Sequence, residues 1–234
     1  DGQDDFDEAD DVEVKSDDAT AGIDADLERW GSIAGTVTSA DDPGGVGGVE
    51  VEVFDLGNTP MGSAVTRPDG TYEVGGLPSG DYRVWFKPLA RYLDQWYDGQ
   101  DDFDEADDVE VVLGATTAGI DADLVLKQYT LTTGQTGSGT VTMDPDQPSY
   151  DHGTTVSLEA VPDPGWHFVE WTGDLSGSAN PADLVMDSDK TVSATFAINT
   201  YTVSASVGTG NGAVSPASQV VSHGSPATIA INPD

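Results

Sequence analysis

Internal repetition constrains the fold of this chain more than any other feature of its sequence. Residues 1–14 and 98–111 are identical, and the alignment continues without a gap to 1–27 and 98–124, which both end in AGIDADL. A segment that recurs within one chain usually marks one structural unit, so the spacing of the repeats indicates the size of that unit. The spacing here predicts a module of about 100 residues rather than one large domain.

A second and shorter repeat follows the first. Residues 129–163 resemble 201–234 with a single one-residue gap. The chain therefore contains two kinds of unit, and we expect both of its ends to fall inside one. The predicted segments are the C-terminal tail of a preceding unit at 1–27, a complete unit at 28–127, a shorter complete unit at 128–198 and the first half of its second copy at 199–234.

Alternating apolar residues predict strands in the first unit. In GVEVEVF the valines share one face and the glutamates share the other, as in a half-buried strand. The inward positions predicted in this way are Val49, Val51, Val53, Tyr72, Val74, Tyr82, Val84, Phe86, Val109, Val111, Ile120, Ala122 and Leu124. Short strands between Gly-rich and Pro-rich turns predict an immunoglobulin-like (Ig-like) or prealbumin-like β-sandwich. One or two helical turns are predicted in LARYLDQWYDG, where Leu89, Leu93 and Trp96 share a face.

The shorter unit shows the same alternation. Its predicted inward positions are Val156, Leu158, Ala160, Val192, Ala194 and Phe196. Trp166, Phe168 and Trp171 are expected to anchor its core, because each large aromatic side chain can bury on the order of 200 Å². We therefore predict an all-β chain in which the sandwich is followed by small β-rich repeat domains, arranged as beads on a string.

Two sets of motifs resemble known families. The segments GSIAGTV, GVEVEVF and RPDGTYEVGGLPSGDYRVWF resemble the bacterial carboxypeptidase regulatory-like module, a relative of Cna-B-like and transthyretin-like domains. The segments YTLTTGQTGSGTVT, GWHFVEWTGD and MDSDKTVSATF are similar to the divergent internalin B-type bacterial repeat. These resemblances imply stalks, spacers and adhesive elements of exported proteins, or accessories of secreted hydrolases. A resemblance of fold does not identify a ligand.

The charge balance excludes several classes of partner. The chain has 43 acidic and 8 basic residues, a formal net charge of −35. Nucleic acid and anionic membranes would be repelled, and no apolar run is long enough for membrane insertion. Such self-repulsion is tolerated where salt screens it or cations bind, so it is typical of halophilic proteins and of calcium-loaded surface proteins. Because cysteine is absent, the composition favours a microbial exoprotein, extracellular or on the cell surface.

One acidic segment is a candidate calcium site. Its carboxylates are Asp98, Asp101, Asp102, Asp104, Glu105, Asp107 and Asp108. Calcium takes about six to eight oxygen ligands, but the spacing here differs from that of an EF-hand. Phe103 and Ala106 predict a short helical turn with its apolar side packed down. Two interpretations remain, an ordered calcium site and a solvated acidic face suited to salt. A weaker second candidate is the loop that carries Asp174, Asp187 and Asp189.

Catalytic chemistry has little support in the sequence. His152 and His223 occupy the same position of the shorter repeat, before a glycine, which predicts turn residues. His167, the third histidine, alternates with inward aromatic residues, which predicts a surface position. No nucleophile elbow, zinc-protease motif or phosphate loop is present, so we predict no enzyme activity and no cofactor besides the candidate calcium.

Two functional interpretations follow. The first is a non-catalytic structural module of a long, acidic, multi-domain extracellular stalk, adhesin or filament. Its partners would be neighbouring modules of the same chain, and like chains that pair through exposed edge strands. The alternative is an accessory carbohydrate- or surface-binding module of a secreted hydrolase. Polysaccharide would then stack on exposed rings, for which Tyr92, Trp96, Tyr97 and Phe103 are candidates, whereas rings that fill the core would favour the first interpretation.

Overall fold

The computed structural model describes residues 29–88 and 90–234. The predicted tail at 1–27 and Leu89 lie outside the described residues. The chain divides into two compact units, Asp1–Val125 and Leu126–Asp234. Regular structure in the described residues consists of β-strands and short 3₁₀ turns, which confirms the predicted all-β class. Within the same residues there is no helix with the length and apolar character needed to cross a membrane.

The strands of the first unit are short and closely spaced. They are β1 (Gly31–Ser39), β2 (Glu50–Asp55), β3 (Pro60–Val65), β4 (Thr71–Leu77), β5 (Gly80–Lys87), β6 (Gln95–Trp96), β7 (Val109–Val111), β8 (Thr116–Ala118) and β9 (Ala122–Leu124). Two 3₁₀ turns, Tyr97–Gly99 and Phe103–Glu105, lie between β6 and β7. Glycine, proline and aspartate dominate the connections, where turn geometry favours them.

Two sheets enclose the core of the first unit. One has the order β4-β1-β8 with β9 also paired to β1, and the other has the order β3-β2-β5-β6 with β7 also paired to β5. Tyr72 of β4 packs edge-on against Phe86 of β5, with 5.9 Å between ring centroids, so the inner faces of the sheets meet. All inward positions predicted for this unit are buried. The predicted Ig-like β-sandwich is confirmed.

A glycine in the first strand explains part of the GSIAGTV motif. A Cβ atom on Gly35 would collide with the backbone carbonyl of Ile120, in the connection between β8 and β9. The backbone N–H of Ile120 donates to the carbonyl of Ala34 at 3.2 Å, and the Tyr72 hydroxyl donates to the Ile120 carbonyl at 2.6 Å. The connection therefore lies directly on β1, at a distance that only a residue without a side chain permits.

The described residues 90–96 do not form the predicted helical turn, and a 3₁₀ turn follows them at Tyr97–Gly99. Trp96 instead lies on the extended strand β6 and pairs with Trp85 of β5. Asp98, just after it, has a left-handed φ of 61°, which interrupts any helix. Leu93, expected on the buried face, is 47% exposed. An isolated helical turn has little intrinsic stability, whereas a strand lets Trp96 pack across the neighbouring strand.

The buried hydroxyl of Tyr72 predicts a loss of stability at alkaline pH. Burial, reinforced by the Asp121 carboxylate, raises the pKa of Tyr72 far above its usual value of 10. The unfolded chain releases this proton near pH 10 while the folded protein retains it, so the free energy of unfolding falls as pH rises above 10. Burial also raises the pKa of Tyr82, which adds to the decline.

The Tyr72→Phe variant should show a weaker alkaline decline in urea unfolding measured on either side of pH 10. At neutral pH the same variant loses the hydrogen bond to Ile120 and should be less stable by about 1–2 kcal/mol. Tyr201→Phe, at an exposed position of the second unit, is the matched control. An alkaline decline of unchanged size in Tyr72→Phe would contradict the prediction.

In the second unit, the residues of the shorter repeat at 128–198, called here the complete repeat, are followed by residues 199–234, whose sequence resembles their first half and which are called here the partial repeat. The strands of the complete repeat are β10 (Gln128–Tyr129), β11 (Leu131–Thr136), β12 (Gly139–Asp144), β13 (Tyr150–Asp151), β14 (Thr155–Pro162), β15 (Trp166–Gly173), β16 (Ala182–Val185) and β17 (Lys190–Ile198). The strands after it are β18 (Thr200–Ser204), β19 (Ala213–Ser215), β20 (Ser218–Ser222) and β21 (Ala230–Asn232).

The complete repeat is a small two-sheet domain with its own core. Its main sheets have the orders β11-β17-β15 and β12-β14-β16. Trp171 is fully buried between them, and Trp166 and Phe168 are half-buried and pack against the same core. All six alternating positions predicted for this repeat are buried, which confirms its register.

The partial repeat exposes apolar residues that its complete counterpart covers. Its strands form two separate pairs, β18 with β20 and β19 with β21. Ile231 on β21 is 77% exposed, whereas Ala160, at the equivalent position of the complete repeat, is buried. In the complete repeat the following strands β15 to β17 supply the rest of the core. Residues 199–234 therefore have the outline of the repeat without its closed core.

Candidate functional site

The acidic loop, defined here as residues 98–108, lies between β6 and β7. The Asp102 carboxylate accepts a hydrogen bond from the Asp104 N–H at 3.2 Å and starts the 3₁₀ turn Phe103–Glu105. Ala106 is buried, Phe103 is half-buried, and all seven carboxylates of the loop are exposed. The predicted short turn with its apolar side packed down is confirmed.

Beneath the loop lies the outer aromatic cluster, formed by Phe54, Trp85, Trp96 and Phe103. Trp85 and Trp96 stack with 5.8 Å between ring centroids and 19° between ring planes. Phe54 and Phe103 meet Trp96 edge-on at 5.4 and 5.2 Å. These are favourable geometries for aromatic pairs. The cluster forms because β2 and β5 place Phe54 and Trp85 on the face opposite the core.

Arg83 fastens the acidic loop to this face of the sheet. Its guanidinium lies 4.6 Å from the centre of the Phe103 ring and donates to the Phe103 carbonyl at 2.5 Å. The same group pairs with Asp108 at 3.1 Å and approaches Asp104 at 3.7 Å. Only 17% of the Arg83 side chain is exposed, so these contacts are less screened than ordinary surface ion pairs. Ring stacking and one cation thus hold the loop.

The structure separates the seven candidate calcium ligands more than the sequence spacing suggested. Asp104 and Asp108 contact Arg83, and Asp102 caps the 3₁₀ turn. Within residues 29–88 and 90–234, no three acidic or histidine side chains are grouped closely enough to hold a metal ion. Binding of calcium by Asp98, Asp101, Asp102, Asp104, Glu105, Asp107 and Asp108 remains a prediction, and it would require these carboxylates to turn toward one another.

The candidate sugar-stacking residues do not form an open platform. Tyr92 is 1% exposed, and its hydroxyl hydrogen-bonds with Ser39 at 3.1 Å and donates to Asp41 at 3.2 Å. Tyr97 is half-buried. Trp96 stacks on Trp85 and meets the other two rings of the cluster edge-on. Tyr92 is therefore a core ring, as the first interpretation expects, and is not available for sugar stacking.

The carboxylates of the second acidic loop have separate structural partners. Asp174 accepts a backbone N–H of β17 at 2.7 Å, and Asp187 pairs with Lys190 at 2.6 Å. Asp189 accepts both the backbone N–H and the hydroxyl of Thr130, at 2.8 and 3.0 Å. Asp189 therefore links the turn before β17 to the residue that precedes β11, whereas Asp174 and Asp187 contact β17 itself.

Acid should weaken the second unit through Asp189. The N–H and hydroxyl of Thr130 hold the pKa of the Asp189 carboxyl below its usual value of 3.8. A lowered folded-state pKa contributes stability above the unfolded value, and this contribution is lost as pH falls through the folded value. Asp189→Asn cannot be protonated and should flatten that decline in thermal unfolding below pH 3.8. The control is Asp183→Asn, an exposed carboxylate of β16, and an acid decline of unchanged steepness in Asp189→Asn would refute the prediction.

The histidines lie where the sequence predicts them. His152 and His223 occupy turns, before Gly153 and Gly224, and His167 is exposed on β15. The imidazole of His152 packs on Tyr129 with 5.9 Å between ring centroids. These positions are structural in character.

Comparison with known proteins gives a family match within the second unit. Residues 129–200 match the family described as "Divergent InlB B-repeat domain". The serine-aspartate repeat-containing protein D of Staphylococcus aureus strain Newman is 54% identical over 48 residues, which is 20% of this chain and 4% of that protein. The same protein from strain USA300 matches equally. The chain thus spans only a small fraction of these curated relatives.

Three solved structures of bacterial proteins are similar to this chain. The Bacillus anthracis TIE protein covers 74% of this chain with 35% of its own length, at 14% identity and a TM-score of 0.45. The streptococcal ancillary pilin covers 71% with 62% of its length, at 14% identity and a TM-score of 0.32. The major pilin subunit of Bacillus cereus covers 67% with 48% of its length, at 12% identity and a TM-score of 0.33. Residues 129–200 are thus similar to the divergent InlB B-repeat domain, and in this chain they follow an Ig-like β-sandwich.

Proposed function

We propose that this chain is a non-catalytic structural segment of a long, acidic, multi-domain stalk, adhesin or filament protein. It lies outside the cell or on its surface. The observation that carries the proposal is that the polar and aromatic side chains of the candidate site contact one another and hold loops in place. Arg83 and the outer aromatic cluster are engaged in holding the acidic loop on its sheet, and the second acidic loop is engaged in joining β11 to β17.

The acidic loop is proposed to act as a solvated, charged face. Its carboxylates are exposed above an apolar base, so salt can screen them without any change in fold. Mutual repulsion between such faces also opposes aggregation of chains that carry exposed strand edges. A net charge of −35 makes that repulsion strong in dilute buffer and weak in salt.

Mechanical extension of single molecules tests the structural role. The chain is held between two handle domains of known extension and pulled at constant speed. The sandwich and the complete repeat should unfold in separate events, and the larger should release about 30 nm of chain. Extension without separate force peaks would refute the proposal, because the modules would then bear no load.

A further inference from the structure

A single residue connects the two shorter repeats. Each of its backbone and side-chain polar groups has a hydrogen-bond partner among the described residues. Asn199 lies between β17 and β18. Its N–H donates to the Gly165 carbonyl and its carbonyl accepts from the His223 N–H, both at 2.8 Å. Its side-chain oxygen lies 2.7 Å from Nδ1 of His167, and its amide nitrogen donates to the Trp166 carbonyl at 3.4 Å. Three of these partners belong to the first repeat and one to the second.

The second repeat also touches the first through a ring. The imidazole of His223 lies so close to Gly165 that a Cβ atom on that glycine would collide with it. Gly165 has a φ of +87°, so a glycine is favoured here by backbone conformation as well as by space. On its own repeat, His223 packs against Tyr201 with 6.1 Å between ring centroids. The ring therefore contacts both repeats.

The pair of Tyr201 and His223, which supplies the second repeat's side of this contact, has a counterpart in the complete repeat. In the complete repeat, His152 occupies the position of His223 and packs against Tyr129 in the same way. Its backbone N–H donates to the carbonyl of Lys127 at 2.8 Å, which matches the bond from His223 to Asn199. Within the part of the chain that the structure describes, Nδ1 of the His152 ring is buried and has no hydrogen-bond partner. The tyrosine–histidine pair is thus built into the start of each repeat.

We propose that the turn and strand end at residues 165–167 form a docking site for a second divergent InlB B-repeat, with Asn199 and His223 as its main contacts. Each repeat then carries a receiving end, at Gly165 and His167, and an inserting end, at its tyrosine–histidine pair. Such a contact joins unlike surfaces and leaves one of each unused, so it propagates along an array instead of closing. Tandem repeats joined in this way form a stiff rod. This inference rests on the proposed structural function.

Distance measurement between the repeats tests the docking site. The chain has no cysteine, so Thr155→Cys on β14 and Ser218→Cys on β20 provide two unique spin-labelling positions. Pulsed electron–electron double resonance on the labelled chain should give one narrow distribution of distances between the two labels. Gly165→Ala and His223→Ala should both lose that narrow peak, the first through collision and the second through loss of the ring contact.

A matched glycine separates the joint from local backbone strain. Gly177 also has a positive φ, of +96°, but a Cβ atom there would meet nothing within 4 Å in the described residues. Gly177→Ala should keep the narrow peak. The circular dichroism spectrum should be the same in all variants, because none of them is expected to change the fold. His167→Ala, at an exposed position, tests the contact to Asn199 without a change in the core and should broaden the distribution.

Two outcomes would overturn the proposal. One is a broad distribution in the chain that carries only the labels, and the other is an equal effect of Gly165→Ala and Gly177→Ala. If the distribution is broad while separate unfolding peaks persist under force, docking fails and the structural function stands. If the force peaks are also missing, the proposed function itself fails.

Discussion

Replacing Trp171 with alanine should lower the free energy of unfolding of the second unit by about 3–5 kcal/mol, the largest effect expected from a single substitution in this chain. Trp171 is 1% exposed at the centre of the complete repeat. Its indole N–H donates to the Ala179 carbonyl at 2.8 Å, and its ring lies 5.0 Å from that of Phe168. The substitution removes these contacts and opens a cavity in the core.

Urea unfolding monitored by backbone circular dichroism measures this loss of stability, since it does not rely on the fluorescence of the deleted indole. Val185→Ala, at an exposed position on β16 of the same repeat, is the control and should change stability by less than about 0.5 kcal/mol. The transition of the first unit should be unaffected by either change. A loss below about 1 kcal/mol in Trp171→Ala would contradict the core assignment, because buried tryptophans contribute far more than that.

Replacing Trp96 with alanine should release the acidic loop and lower the stability of the first unit by about 2–4 kcal/mol. Trp96 contacts all three other rings of the outer aromatic cluster, at centroid distances of 5.2 to 5.8 Å. Without it Phe103 has no ring to pack on, and Arg83 is left as the principal anchor of the loop. Backbone amides of residues 102–108 should then exchange with solvent faster, whereas those of β1 and β4 should keep their protection.

Leu93→Ala is the matched control for Trp96→Ala. Leu93 lies in the same segment but is 47% exposed, so its truncation should change stability by less than about 0.5 kcal/mol. Amide hydrogen exchange read by mass spectrometry compares both variants with the unmodified chain. Equal exchange of the loop in Trp96→Ala and Leu93→Ala would show that the cluster does not hold the loop.

The period of two in the sequence was sufficient to predict the inner faces of the sheets. Val51 and Val53 on β2, with Val84 and Phe86 on β5, are all buried as that pattern requires. One buried face fixes the register of a strand, because a slip by one residue would expose every inward side chain. Local sequence therefore carries this information in full.

The outer aromatic cluster was not predicted, although the sequence contains a signal for it. Phe54 and Trp85 occupy outward positions of β2 and β5, where polar residues are expected, and they are the exceptions to the alternation. That they meet Trp96 depends on the pairing of β5 with β2 and β6, which local sequence does not specify. The helical turn was wrongly predicted at Trp96 for the same reason, since tertiary contacts override a weak helical pattern.

The candidate calcium site illustrates the limit of composition as a guide. Seven carboxylates within the acidic loop fit either a cation site or a solvated face. What distinguishes the two is the direction of each side chain, which depends on the 3₁₀ turn and on Arg83 from a strand distant in sequence. The spacing of acidic residues carries no information about that arginine.

Thermal unfolding of the first unit at matched ionic strength, in sodium chloride and in calcium chloride, tests most directly whether the acidic loop is a solvated face held by rings and Arg83. The account predicts midpoints that rise with ionic strength and are the same in the two salts, because screening is not specific to the ion. The variant Asp101→Asn/Asp107→Asn, at two exposed carboxylates of the loop, should then be at least as stable as the unmodified chain. A higher midpoint in calcium chloride that this variant abolishes would contradict the account and establish a calcium site.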